Sequence, residues 1–329
     1  MERLMSQVIE KYMDRILAGH DLEFDEALEL ALEADPAELY QAADDLRQKL
    51  HKNSLDMCSI VNAKSGKCSE DCKFCAQSSH YDVEVATYDV VDVVKAVSLA
   101  KENEQFGVQR FSLVTAGRTV SEKHLEEFRQ IYQRLQEETQ LSLCASMGFL
   151  TSEKALKLKE MGVTRYHCNL ETSRSFFPKV CSSHTWDEKV ATIKIAHEAG
   201  LEVCSGGIVG MGESLEQRLE LAFELRELGI LSIPLNILTP IKDTPFADIA
   251  PLSVAEVLTC VAMFRFINPM AVIRLAGGRN LLGEEQKRCF SSGANGAIVG
   301  NYLTTVGNSL GEDIEMFRAL GFDVADEQK

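Results

Sequence analysis

A single α/β barrel of the (β/α)8 TIM type, with a helical extension before it and a short helix after it, is the fold this sequence predicts. Three observations lead there. From residue 55 onward, eight short apolar runs alternate with charged, amphipathic stretches, the pattern of parallel strands joined by crossover helices. The chain has 329 residues, 45% of them hydrophobic, enough for one large core of this kind. Finally, a compact cysteine loop follows the first run directly, at the strand end where such barrels carry their active sites.

The elements follow in order. Residues 1–50 read as helices: Asp25 to Leu32 is rich in good helix formers, and Pro36 suits the first turn of the next helix. The candidate strands are Asp56–Ala63, Arg110–Gly117, Leu141–Gly148, Arg165–Thr172, Glu202–Gly210, Ser232–Leu238, Ala271–Gly278 and Gly296–Gly300. Between them lie helical patterns such as Ser121–Glu138, Ser152–Met161, Asp187–Ala199 and Ser214–Leu228, and a last short helix falls around Asp313–Leu320. The expected division is a helical extension at 1–50, the barrel at 51–322 and a tail at 323–329.

Composition narrows the function. A net charge of −16 argues against nucleic acid or an anionic membrane as the main partner. No run approaches the ~18–20 apolar residues of a membrane span. Met1 to Glu10 carries two acids and no apolar core of a signal peptide. A cytoplasmic protein is expected, so its ten cysteines read as metal ligands and buried thiols rather than disulfides.

The loop Cys68-Ser69-Glu70-Asp71-Cys72-Lys73-Phe74-Cys75 spaces three cysteines C-x3-C-x2-C. Thiolates are soft ligands for iron–sulfur clusters or zinc. Structural zinc usually takes four protein ligands, and His80 is the nearest fourth candidate. Three thiolates on a four-iron cubane would instead leave one iron open. Deeper in the barrel, Cys58, Cys144, Cys204 and Arg274 fall within strands one, three, five and seven. A buried cysteine is often a small core hydrophobe, whereas a buried arginine needs a partner. An anionic cluster would satisfy both together.

The cysteine loop resembles the signature of the radical S-adenosylmethionine superfamily. The likeness implies a 4Fe-4S cluster on Cys68, Cys72 and Cys75, with S-adenosyl-L-methionine on the open iron and Phe74 beside its adenine. Further motifs make the resemblance specific to the biotin synthase family. They are Arg110-Phe111, Tyr166-His167-Cys168-Asn169-Leu170-Glu171-Thr172-Ser173, Cys204-Ser205-Gly206-Gly207-Ile208-Val209-Gly210-Met211-Gly212-Glu213, Pro234-Leu235-Asn236, Arg274-Leu275, Thr304-Thr305, Phe317-Arg318 and Leu320-Gly321. The likeness runs from about residue 50 to 322.

That resemblance implies sulfur insertion into dethiobiotin, driven by radical cleavage of S-adenosyl-L-methionine, with an auxiliary cluster in the barrel as sulfur source. It implies that Gly206, Ile208, Gly210 and Glu213 shape the adenine site. Asn169 and Glu171, read as two residues of one strand on one face, serve the ribose and substrate, and Asn236 serves the ureido ring of dethiobiotin. His167 shares the parity of Asn169 and is expected to line the pocket. A flavodoxin- or ferredoxin-type electron donor and a homodimer are implied as well.

One position departs from the family. Its auxiliary cluster is held by three cysteines and one arginine, and Cys144, Cys204 and Arg274 fill three of those places, but the fourth is Ser112. A serine alkoxide is rarely accessible near neutral pH. Cys58, about five strand residues below the loop at ~3.3 Å each, is the compensating candidate. The inner cluster is then either the family's 2Fe-2S form or a larger, differently ligated one, with Arg274 as ligand or neutralising charge. Cys168, expected to face away from Asn169, Cys181 in a loop near the mouth, and Cys260 and Cys289 in helices are read as non-ligands. The weighed alternatives are a HydE-like hydrogenase maturase, a methylornithine synthase, or a non-enzymatic iron–sulfur carrier.

Overall fold

The computed structural model describes residues 7–301, 303–304 and 307–324; Thr305 and most of the expected tail lie outside them. The chain opens with three helices, α1 (Gln7–Leu17), α2 (Phe24–Glu33) and α3 (Pro36–His51). Asp35 caps α3 by accepting from the backbone N–H groups of Ala37 and Glu38, with Pro36 in the first turn, where its missing N–H costs nothing. α3 lies along α9 (Val254–Ile267), and α2 touches α8 (Leu215–Glu227) and α9. The extension thus packs on one flank of the barrel.

Nine strands form one parallel sheet among the described residues: β1 (Asp56–Lys64), β2 (Arg110–Thr115), β3 (Ser142–Ser146), β4 (Val163–His167), β5 (Glu202–Cys204), β6 (Gly207–Val209), β7 (Ser232–Ile237), β8 (Val272–Leu275) and β9 (Gly296–Ile298). Helices α4 (Val93–Gln105), α5 (Glu122–Glu138), α6 (Ser152–Glu160), α7 (Trp186–Glu198), α8, α9 and the short α10 (Gln286–Phe290) connect successive strands. A final helix, α11 (Leu310–Ala319), begins three residues before the expected start. None of the described helices is long and apolar enough to cross a membrane.

The strand order is β5-β4-β3-β2-β1-β9-β8-β7-β6. Its two ends, β5 and β6, are halves of one interrupted stretch, which sequence reading took as the single strand Glu202–Gly210. The lower half pairs with β4, setting Cys204 against His167, and the upper half pairs with β7, setting Gly207 against Leu235. Ser205 N–H donates to Ser232 O at 3.0 Å, and Glu171 N–H to Gly206 O at 3.1 Å. The ring of strands therefore closes through the interruption. Glycines permit it: a Cβ on Gly206 would lie 2.0 Å from Pro234 O, and one on Gly207 would lie 2.5 Å from Glu171 O.

Strand alternation sorts the two faces. In β2, Phe111 and Leu113 are fully buried in the apolar layer under the helices, while Arg110, Ser112 and Val114 turn into the barrel. What should be a purely apolar interior is polar on this side.

Candidate active site

One cavity of about 420 Å³ runs from the cysteine loop at the mouth, lined by Cys68, Cys72 and Cys75, down to Cys204 and Arg274 inside the barrel. The loop is tied down by its own backbone. Cys68 N–H donates to Gln77 O at 2.9 Å, Ser79 N–H to Cys68 O at 2.8 Å, and Cys75 N–H to Cys72 O at 3.0 Å.

The acidic residues between the cysteines do more than sequence reading allowed. Asp71 accepts from the N–H groups of Ser182 and Ser183, both at 2.9 Å, and from the hydroxyl of Ser182. Burial works against its charge, but the donors of Ser182, Cys181 and Ser183 outweigh it and hold the carboxyl far below the ordinary range. Glu70 accepts from His184 Nδ1 at 2.6 Å, Ser183 Oγ at 2.9 Å and Arg118 at 3.1 Å. The 181–184 segment is thereby clamped to the cysteine loop. Cys181, read from sequence as a loop residue near the mouth, is buried with Sγ 3.8 Å from Cys72 Sγ and 3.3 Å from His184 Nδ1. The ligand atoms of Cys72, Cys181 and His184 all lie within 4.8 Å of one another. The Cys181-Ser-Ser-His184 spacing was the available signal.

Above the loop, Phe74 and Ile208 pack against one small apolar cluster that contains Val180, Met211, Leu238 and Phe246. Gly210, at φ 94°, turns the chain there. Glu213 does not open onto this space: it accepts from the N–H groups of Gly210 and Met211, both at 2.7 Å, and from Arg218 at 2.6 Å. It builds the turn that carries the apolar wall.

The middle of the cavity is where Asn169, Glu171 and Asn236 lie. β4 ends at His167, and Glu171 sits at φ 72°, so Asn169 and Glu171 do not share a strand as expected. They nonetheless line the same cavity. Irregular backbone is affordable here because Gly206 and Gly207 receive it. Burial raises the Glu171 carboxyl, opposed chiefly by Lys189, whose Nζ is 3.6 Å away. Lys189, a half-buried cation in the cavity wall, went unnoticed because it falls within an ordinary amphipathic helix. Cys168, expected to turn away, also borders the cavity, with Sγ 3.9 Å from Lys189 O. Asn236 joins two strand ends, donating to Gly207 O at 3.1 Å and accepting from Gly277 N–H at 2.9 Å.

The barrel floor is a ring of charge. Arg274 donates to Asp56 Oδ1 at 2.6 Å, Asp56 O at 2.8 Å and Ala297 O at 3.3 Å. Arg110 donates to Asp56 Oδ2 at 3.1 Å and lies 3.9 Å from Glu202. Arg165 donates to Glu202 at 2.9 Å. Ser232 Oγ closes the ring, 3.5 Å from both Arg165 and Arg274, and donates to Cys204 Sγ at 3.3 Å. Three guanidiniums against two carboxylates leave a net positive floor.

Immediately above stand the inner sulfurs. Cys58, Cys144 and Cys204 are 0–1% exposed, and the Cys58 and Cys144 thiols influence each other. That mutual influence, helped by Arg274 and Arg165 and opposed by burial, lowers the Cys58 thiol, while the same influence and burial raise Cys144. Burial raises Cys204, opposed by Arg274. Cys260 and Cys289 lie in α9 and α10, the helical placement expected of them, and are buried in the apolar core. Ser112 Oγ and His167 Nε2, on inward-facing strand positions, are buried with no hydrogen-bond partner among the described residues. Unsatisfied polar atoms are costly, and these two together with the cationic floor fit an anionic group bound among the three sulfurs.

The Radical SAM superfamily profile matches residues 63–225, and the Biotin and Thiamin Synthesis associated domain matches residues 234–323. The biotin synthase of Desulfotalea psychrophila is 59% identical over 98% of this chain and 97% of its own length. The chain belongs to the biotin synthase family. The Acetivibrio thermocellus biotin synthase is 52% identical, over 93% of this chain and 96% of its own. Among solved structures, methylornithine synthase superposes with a TM-score of 0.82, covering 96% of this chain and 98% of its own at 18% identity. The hydrogenase maturase HydG of Carboxydothermus hydrogenoformans superposes at 0.79, covering 95% of this chain and 78% of its own. At such identity these two speak for the fold alone. The biotin synthase family assignment carries radical-SAM enzyme chemistry with it.

Proposed function

We propose that the protein converts dethiobiotin to biotin, inserting sulfur from an inner iron–sulfur cluster under control of S-adenosyl-L-methionine bound at the mouth. The observation that carries this reading is the single cavity joining Cys68, Cys72 and Cys75 to Cys204 and Arg274. It gives a radical source, a substrate and a sulfur donor one shared space.

Cys68, Cys72 and Cys75 would hold the outer 4Fe-4S cluster; Cys58, Cys144 and Cys204 would hold the inner one. When bound, these groups supply one electron to cleave S-adenosyl-L-methionine to a carbon radical, and sulfide to capture the substrate radical. The chain's own residues arrange the partners. Phe74 and Ile208 offer an apolar slot to the adenine, and Asn169 with Glu171 offers acceptors to the ribose hydroxyls. Lys189 offers a half-buried cation to the methionyl carboxylate. Asn236 keeps one amide hydrogen and one lone pair free for the ureido ring, and the floor arginines neutralise the inner cluster's charge. An electron donor of flavodoxin or ferredoxin type supplies the reducing equivalent, and a cytoplasmic homodimer is the form in which we expect the enzyme to work.

Incubating the reconstituted, reduced protein with dethiobiotin and S-adenosyl-L-methionine tests the reading. Biotin and 5′-deoxyadenosine together are expected, and Cys72→Ala should form neither while keeping the inner iron. Deoxyadenosine without biotin would point to another radical maturase, and neither product to an iron–sulfur carrier.

A further inference from the structure

We propose that Cys72, Cys181 and His184 form a mononuclear divalent-metal site, suited to Zn2+, that fills when the outer cluster is absent and excludes that cluster while occupied. This rests on the outer-cluster reading above only through Cys72, which the two sites share. The inner cluster and sulfur insertion do not enter it.

The distances carry the site. Cys72 Sγ lies 3.8 Å from Cys181 Sγ, and Cys181 Sγ lies 3.3 Å from His184 Nδ1. All three donor atoms fall within 4.8 Å of one another. A tetrahedral zinc, with bonds of ~2.3 Å to sulfur and ~2.0 Å to nitrogen, sets two sulfurs about 3.8 Å apart and a sulfur and a nitrogen about 3.6 Å apart. The two thiols already stand at that spacing, and the imidazole has only a few tenths of an ångström to give. Two thiolates and an imidazole are donors that zinc favours. A water in the fourth place completes the tetrahedron.

The donors are in place before any metal arrives. Cys181 and His184 are 4% and 6% exposed. Cys181 N–H donates to Phe177 O at 3.2 Å, and the His184 ring stands edge-on to Phe149 and Phe177, with centroids 5.2 and 5.6 Å away. Carboxylates stand behind both donors, Asp71 Oδ1 at 3.1 Å from Cys181 Sγ and Glu70 Oε2 at 2.6 Å from His184 Nδ1. Such outer partners fix the ligands that they touch. Binding releases one proton from each thiol, and the metal takes the place of the proton on Nδ1. Glu70 then keeps Ser183 and Arg118 as donors. Exclusion follows because the cubane needs the Cys72 thiolate for one of its irons.

The test titrates full-length protein, stripped of iron and kept reduced, with Co2+ as a coloured stand-in for Zn2+. Thiolate-to-cobalt charge transfer and the strong visible bands of tetrahedral cobalt are expected. Cys181→Ala and His184→Ala should each bind one cobalt fewer, whereas Cys68→Ala and Cys75→Ala should keep it. Inner thiols are the same in all of these, so difference spectra isolate the site. His184→Cys should keep the tetrahedral bands and gain charge-transfer intensity, which a merely structural histidine would not produce. Zn2+ added before iron and sulfide should suppress outer-cluster assembly in wild type and not in Cys181→Ala. Cobalt that depends on Cys68 and Cys75 but not on Cys181 and His184 would overturn the site. Cobalt held by Cys181 and His184, with cluster assembly undiminished by zinc, would overturn the exclusion at Cys72. Failure of the outer-cluster reading shows separately, as wild-type protein that assembles no four-iron centre even without zinc.

Discussion

Asp56 and Arg274 meet at the foot of the barrel, carboxylate to guanidinium at 2.6 Å, across the width of the one strand that separates β1 from β8. The same carboxylate holds Arg110 at 3.1 Å. One acidic side chain thus anchors two of the three cations beneath the inner cysteines.

Removing it should be expensive. Asp56→Ala leaves two guanidiniums short of their counter-charge, and breaking a buried pair costs about 3–5 kcal/mol. Urea unfolding of cluster-free protein should read a loss of that order at neutral pH. Burial pushes the Asp56 carboxyl up, but Arg274 and Arg110 outweigh it and set it at about 2, below its ordinary 3.8. A lowered carboxyl stabilises the fold above its unfolded value and loses that contribution as pH falls through the folded one. The gap between wild type and Asp56→Asn should therefore be constant above about pH 5 and close between pH 4 and 2. A gap that widened on acidification would mean the pair does not stabilise the floor.

Cys58→Ser tests the substitution pattern around Ser112. Cys58 is 1% exposed and lies within the influence of Cys144 and of the Arg274 charge, so its loss should strip inner iron and abolish biotin formation. Cleavage of S-adenosyl-L-methionine should persist, because Cys68, Cys72 and Cys75 are untouched. Normal iron, sulfide and biotin in this variant would make Cys58 a core thiol.

Asp71→Ala addresses the clamp between the outer loop and the 181–184 segment. It removes two backbone N–H partners at 2.9 Å and a hydroxyl partner. At about 0.5–1.5 kcal/mol for each bond, the outer cluster should be lost roughly tenfold or more faster on gel filtration. Excess iron and sulfide should restore it, unlike in Cys72→Ala. Unchanged retention of outer iron would show that the cysteine backbone alone holds the loop.

How much of this was legible beforehand follows from where each residue sits. Eight strand positions were readable because each β/α repeat obeys its own local period. The cysteine loop was readable because three thiolates in eight residues have few other uses. Arg274 stood out as a cation inside an apolar strand. Its partners did not, because Asp56, Arg110, Arg165 and Glu202 lie at or near strand starts, where charge is unremarkable until a closed sheet brings them together. Asn169 and Glu171 were matched to the right cavity by the wrong geometry: alternation assumes a strand, and Glu171 at φ 72° is not in one. Cys181 and Lys189 depend on a segment distant in sequence folding back over the loop, which no local pattern records. The break in strand five was hidden for the same reason, since its cause is a neighbouring backbone.

That break supplies the last prediction. Gly206 has an ordinary φ, so alanine there meets no backbone strain of its own; the obstacle is Pro234 O, 2.0 Å from the new Cβ. Because the obstacle is backbone in β7, no side chain can rotate away. Either β7 moves or the stretch around Cys204 does, and both disturb the hydrogen bonds that close the ring. Overpacking commonly costs about 1–3 kcal/mol, and an immovable neighbour puts Gly206→Ala at or above about 3 kcal/mol. Gly229→Ala is the control: it sits at φ 67° with open space around its Cβ position, so only conformational strain of about 1 kcal/mol applies. Urea unfolding of the two cluster-free variants should separate them clearly. Gly206→Ala should also bind less inner iron on reconstitution, since Cys204 lies two residues away and Ser205 between them bonds β7. Equal destabilisation by the two substitutions would mean that the closure at β5 and β6 tolerates a side chain, and that tight backbone approach is not what splits the strand.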